Sequence, residues 1–89
     1  MQRKIFYVSD STARTAELNG ESLLSQFPSV EISSVRFPFV DNEAKVKEVI
    51  RAARTETKAS GIMPIVFSTL VEVNLRALLL KSGVPVIDL

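Results

Sequence analysis

The sequence predicts an α/β domain, a three-layer sandwich in the order βαβαβαβ around a four-stranded parallel sheet. Three observations predict it. Short β-prone runs alternate along the chain with segments whose apolar residues recur at helical spacing. The first run, Ile5-Phe6-Tyr7-Val8, is apolar without interruption, as a strand buried on both faces requires. Runs are followed by Ser, Thr or Asp, residues that turn a chain or open a helix. Right-handed crossovers along the simplest path give the strand order 2-1-3-4.

The first strand, Ile5 to Val8, leads into Ser9-Asp10-Ser11-Thr12. From there to Phe27, the residues Ala16, Leu23, Leu24 and Phe27 share one helical face with Gly20. A glycine costs a helix about 1 kcal/mol relative to alanine, so Gly20 is expected where the helix backbone packs closely on the sheet. Pro28 and Ser29 then break the chain. A second strand is expected over Val30 to Val40, and Glu31, Ser33 and Arg36 make it polar enough for an edge. Pro38 fits only near the end of such a strand. Asp41 is expected to cap a second helix, with Val46, Val49, Ile50 and Ala53 inward, ending over Thr57 to Gly61. Pro64 to Phe67 reads as the third strand. Thr69-Leu70-Val71-Glu72 has the capping-box pattern, with Thr69 as N-cap. The third helix then presents Val71, Leu75, Leu78 and Leu79 on its core face, and Gly83 suits its C′ position. Val84 to Ile87 begins a fourth strand.

All 89 residues read as a single domain, without repeat, linker or low-complexity tract. Two features predict that the domain belongs to a longer chain or pairs with another copy: the sequence closes on an apolar strand, and the third helix is too apolar for one buried face. Its Val73, Ala77 and Leu80 are expected to form an exposed strip.

Composition excludes several chemistries. There is no cysteine and no histidine, so disulfides, thiolate nucleophiles, Ser-His triads and histidine-ligated metals are excluded. Eleven Lys and Arg against ten Asp and Glu leave a net charge of +1, which gives no electrostatic case for nucleic acid or an anionic membrane. The run Ile5 to Val8 is too short for a signal-peptide core or a membrane span, and a cytoplasmic location is expected. The three glycines, Gly20, Gly61 and Gly83, cannot spell G-x-G-x-x-G or G-x-x-x-x-G-K-[ST], so neither standard nucleotide loop is encoded. Ser68 stands where a receiver domain would carry its phosphate-accepting Asp.

In an open parallel sheet, ligands bind beyond the carboxyl ends of the strands, where the strand order reverses. Here that point lies between strands one and three. It gathers Ser9, Asp10, Ser11, Thr12, Ser68 and Thr69 as a candidate phosphate-binding set, with hydroxyls and helix-start N–H groups as donors. The same residues also suit plain capping and turn roles. Arg14 opposes the first helix's macrodipole, a conflict that a bound anion would remove. Asp10 would repel that anion, so its expected roles are orienting the hydroxyls, holding Arg14 or binding a bridging metal. Lys47, Arg51, Arg54 and Lys58 form a basic stripe on the second helix, either a solvated face or a docking face for an acidic partner.

The blocks Phe6-Tyr7-Val8-Ser9-Asp10-Ser11-Thr12, Thr15-Ala16-Glu17, Ser25-Gln26-Phe27-Pro28, Phe37-Pro38-Phe39-Val40, Pro64-Ile65-Val66-Phe67-Ser68-Thr69-Leu70-Val71 and Val73-Asn74-Leu75-Arg76-Ala77 run through nearly the whole chain. They resemble the N-terminal part of the regulatory proteins of phosphoenolpyruvate synthase and of pyruvate, phosphate dikinase. The resemblance implies a bifunctional serine/threonine kinase and pyrophosphorylase. Such an enzyme uses ADP to phosphorylate a threonine of its target, and removes that phosphate with inorganic phosphate, releasing pyrophosphate. It also implies that the nucleotide-binding P-loop lies in a C-terminal domain beyond these blocks. No catalytic residue and no metal ligand carries over to these 89 residues, and ADP and phosphate are the ligands expected of a full-length member. The expected partners are the synthase or dikinase and a further copy of the chain. The alternatives are a stand-alone phosphate- or nucleotide-binding module and a structural dimerisation domain.

Overall fold

The computed structural model describes residues 2–27 and 31–89. Pro28, Ser29 and the expected start of the second strand at Val30 lie outside the described residues.

Strand β1 (Gln2–Val8) is the centre of the sheet. It extends three residues beyond the apolar run because its polar start still pairs in register, Gln2 beside Glu31 and Lys4 beside Ser33 of β2 (Glu31–Phe37). On its other side β1 pairs in parallel with β3 (Ile65–Ser68), which pairs with β4 (Val86–Asp88). The order is β2-β1-β3-β4, all parallel, as expected. Alternation along β1 divides its apolar residues between two layers. Ile5 and Tyr7 face helix α1 (Arg14–Leu24), with Ala13, Ala16 and Phe67. Phe6 and Val8 join the larger core formed by α2 (Glu43–Ser60) and α3 (Val73–Leu80), which pack together on the opposite face.

Gly20 performs the close packing expected of it: a Cβ there would lie 2.5 Å from Tyr7 Cε1 and 3.2 Å from Phe67 Cδ2. The two rings stack with centroids 5.8 Å apart, so the helix backbone rests directly on an aromatic floor. On the other face Val46, Val49, Ile50 and Ala53 of α2 are buried as expected, and Gly61 ends that helix at φ 76°. This left-handed cap conformation favours glycine.

Several boundaries differ from the sequence-based expectations. Helix α1 ends at Leu24 rather than Phe27. The N–H groups of Gln26 and Phe27 bond carbonyls only three residues back, which tightens the chain out of the helix and leaves Phe27 exposed. Strand β2 stops at Phe37, because Pro38 has no N–H and Phe39 turns the chain at φ 57°. The cap of α2 is Asn42, whose Oδ1 accepts from the Lys45 N–H at 3.0 Å, and not Asp41. Asp41 instead pairs with Lys45, 3.5 Å away. The cap of α3 is Glu72, whose carboxylate accepts from the Leu75 N–H at 2.8 Å, and not Thr69. Helix α3 therefore starts later than expected. Val71 lies before it and is 73% exposed, while Leu70 takes the buried position. Gly83 (φ 84°) lies two residues beyond the Lys81 C-cap, rather than at C′. Val73 and Leu80 are exposed as expected, and Ala77 is half-buried.

Candidate functional site

The carboxyl ends of β1 and β3 lie side by side, with Val8 in register with Ser68, and the chain leaves each through a serine. Ser9 and Ser68 are both buried. Each hydroxyl is engaged by its own loop. Ser9 Oγ accepts from the Ser11 N–H at 3.1 Å and lies 3.1 Å from Ser11 Oγ. Ser68 Oγ accepts from the Leu70 N–H at 3.2 Å. The backbones of these loops are stitched to their neighbours as well. The Thr69 N–H donates to the Val8 carbonyl, the Ser9 N–H to Phe37, and the Phe39 and Val40 N–H groups to Ser11 and Ser9. The two strand ends and the turn after β2 thus form one hydrogen-bonded rim.

Above this rim Asp10, Ser11 and Thr12 are exposed and Thr69 is half-buried. Among the described residues no hydrogen bond or ion pair engages the Asp10 carboxylate, and Arg14 is not its partner. Neither Ser11 nor Thr12 is the α1 N-cap. That position belongs to Ala13, at φ 67° and with no side-chain cap; Thr12 Oγ1 only reaches the Arg14 N–H at 3.5 Å. Ala13 is buried against the sheet, and this packing holds a non-glycine residue in a left-handed conformation that costs of order 1–3 kcal/mol. Phe39, the other positive-φ residue besides glycine among the described residues, contacts the same rim through its bond to Ser11.

The rim brings Ser9, Asp10, Ser11, Thr12, Ser68 and Thr69 to one end of the sheet, but its two halves differ. The α1 side has a helix start without a side-chain cap. The α3 side does not: its helix begins at Val73, beyond Thr69, and the Glu72 carboxylate occupies its first turn. The expectation of two helix starts with free N–H groups is corrected to one. No group of three or more carboxylates that could hold a metal occurs among the described residues.

Sequence reasoning missed two ion pairs near this rim. Arg36 of β2 grips Glu17 of α1 through two bonds of 2.5 and 2.9 Å. Arg76 of α3 pairs with Asp88, the last residue of β4, which adjoins Ser68 in register. Both join residues far apart in sequence, so no local spacing signals them.

The profile of the kinase/pyrophosphorylase family matches residues 5–89, from the middle of β1 through every later strand and all three helices. The chain belongs to the kinase/pyrophosphorylase family. Its similarity to individual members is spread along the whole sequence. It is 42% identical over 89 residues to an Alcanivorax borkumensis protein provisionally named a phosphoenolpyruvate synthase regulatory protein, covering all of this chain and 33% of that one. A Bordetella pertussis protein with the same provisional name is 42% identical over the same span, 32% of its length. The phosphoenolpyruvate synthase regulatory protein of Salmonella newport is 42% identical over 82 residues, 92% of this chain and 29% of that protein. The chain thus spans about a third of the length of the curated family members it matches. No helix among the described residues is long and apolar enough to cross a membrane.

Proposed function

We propose that these 89 residues are the N-terminal α/β domain of a bifunctional regulator of phosphoenolpyruvate synthase or of pyruvate, phosphate dikinase. In this reading the whole protein phosphorylates a threonine of its target with ADP and removes that phosphate with inorganic phosphate, releasing pyrophosphate. The observation that carries the reading is the family match over residues 5–89, together with 42% identity to regulators of the synthase along the entire chain. The domain's own task is to dock the target and to form one wall of a phosphate-bearing cleft, with ADP held by polypeptide outside these residues. The absence of either standard nucleotide loop from the 89 residues supports that division of labour.

The wall is assigned to Ser9, Asp10, Ser11, Thr12, Ser68 and Thr69. Their place at the switch in strand order, beside an uncapped helix start, supports the assignment. The test is an amide chemical-shift titration with phosphate and with pyrophosphate at constant ionic strength. Shifts confined to residues 9–15 and 68–72 are expected. Shifts spread over α2, or none, leave these residues as turns. The catalytic reading is tested by incubating the 89-residue chain with ADP and the synthase, beside a full-length family member. Threonine phosphorylation is expected only with the latter, and its appearance with the short chain overturns the division of labour.

Self-association is a second reading, favoured by the exposed Val73 and Leu80 of α3. Sedimentation equilibrium decides it: concentration-dependent association, weakened by Leu80→Lys, is expected, and a monomer at all concentrations refutes it.

A further inference from the structure

The stripe of cations along α2 does not end on that helix. Lys47, Arg51 and Arg54 form one bank of a shallow cleft of about 380 Å³, and Lys81, just beyond the end of α3, forms the other. Ile50 and Leu78 lie between the banks as an aliphatic floor. All four cations are exposed. Among the described residues the ion pairs are Arg36–Glu17, Lys45–Asp41 and Arg76–Asp88, and none touches this cleft. Four of the chain's eleven cations therefore converge here without a carboxylate lining the cleft, although the whole chain carries only +1. Lys47 and Arg51 stand at i, i+4 and Arg51 and Arg54 at i, i+3, spacings at which like charges on a helix repel one another.

We infer that this cleft between α2 and α3 docks an acidic amphipathic segment of a partner protein, with carboxylates on its two banks and an aliphatic side chain on its floor. The geometry sets the terms of recognition. Residues 47, 51 and 54 span about 10 Å along one line of α2, matching carboxylates at i, i+4 and i+7 of a helix laid alongside. Lys81 on the opposite bank requires a second acidic edge, and the Ile50–Leu78 floor requires an apolar residue between the edges. A nucleic acid fits less well. The cleft has no aromatic side chain on which a base could stack, and the +1 net charge supplies no long-range field for a polyanion. The cleft lies on the face opposite α1, and the inference holds whichever enzyme the full-length family members regulate.

The probe is a short fluorescein-labelled amphipathic helix with Glu at i, i+4 and i+7 on one edge, a further Glu on the other edge and Leu between them, beside its Gln counterpart and a single-stranded thymidylate oligomer. Anisotropy with the 89-residue chain is expected to show the Glu peptide binding at least about tenfold tighter than the Gln peptide, and weakening as salt rises. The double variant Arg51→Glu, Arg54→Glu, with unchanged far-UV dichroism, is expected to lose that difference. Amide shifts induced by the Glu peptide are expected at Lys47 to Arg54 and Leu78 to Ser82, a map that stands even if the variant fails to fold. Equal binding of the Gln peptide, shifts elsewhere, or no binding overturns the inference. Tighter binding of the oligomer at the same amides overturns it in favour of nucleic acid.

Discussion

The two faces of the sheet are built from the same four strands, yet they are finished differently. The face under α2 and α3 carries the larger core, in which Phe6, Val8, Val66, Val46, Val49 and Leu79 are buried together, and only its β2 edge, at Val35 and Phe37, is left beside a groove. The face under α1 has a single helix. Ile32 on β2 and Ile87 on β4 stay partly exposed at its flanks, and with Leu23, Leu24, Phe27 and Ile65 they line an apolar groove of about 550 Å³. The cause is topological. A right-handed crossover that moves from β1 to β2 places its helix on one face, and the two that move the other way place theirs on the opposite face. Four strands in the order 2-1-3-4 therefore cannot be covered evenly by three helices. The sparse side is held instead by close approach, with Gly20 on Tyr7, and by the Arg36–Glu17 pair that ties α1 to the edge strand.

The comparison is broken most directly by truncating one leucine on each face. Leu79 is 1% exposed, and Leu79→Ala should cost about 2–5 kcal/mol. Leu23 is 44% exposed, and Leu23→Ala should cost less than about 1 kcal/mol. Urea denaturation of both variants measures the contrast, and equal losses would mean that the groove is filled in solution. The close approach of α1 is sharpened by a change of sign. Gly20→Ala gains about 1 kcal/mol of helix propensity but overpacks Tyr7 at a cost of about 1–3 kcal/mol, so a net loss is expected. Asn19→Ala on the exposed side of the same helix should gain a few tenths of a kcal/mol. If both variants are stabilised, α1 does not sit on the rings.

A smaller effect is read by pH. Burial first, and then the carboxylates of Glu21 and Glu17, raise the Tyr7 phenol above its ordinary value of 10.0. The unfolded chain releases that proton at 10.0 and the folded chain only above it, so the folded state holds more protons in that window. Stability from this group is complete below pH 10 and falls as pH rises beyond it. Tyr7 is the only tyrosine, so its ultraviolet titration is unobscured. Tyr7→Phe should flatten the decline relative to the native chain, and an identical decline in both removes the explanation. The smallest effect is that of Glu17→Gln. Because Arg36 is half-exposed, the loss should stay within about 0.2–1 kcal/mol and shrink with added salt, by thermal unfolding at two ionic strengths.

Strand identity, strand order and the core face of α2 were legible because they follow from periodicity and from the handedness of crossovers, which are local or topological rules. The helix starts were less so. Asp41 and Asn42 are both good caps, and only the packing of Val46 and Val49 beneath the helix selects which one begins it. Thr69 and Glu72 match a capping box, yet burial of Leu70 holds the segment off the helix until Glu72 itself becomes the cap. The candidate rim was legible as a place, since it is where strands one and three must end, and as a set of hydroxyls. Its asymmetry was not, because it depends on Ala13 being pressed against the sheet at φ 67°, a conformation that alanine does not announce.

By itself, the sequence determined the α/β class, the four parallel strands, the absence of thiol, imidazole and glycine-loop chemistry, and the blocks that mark the family. Tertiary structure alone decided which donors remain at the rim, which apolar residues line the groove beside α1, and that Lys81 joins a basic stripe about thirty residues away in sequence. The physical reason is range. Propensity and periodicity act over one or two turns, whereas the burial of a rim hydroxyl or the meeting of charges from two helices is set by packing between elements that the chain brings together only when folded.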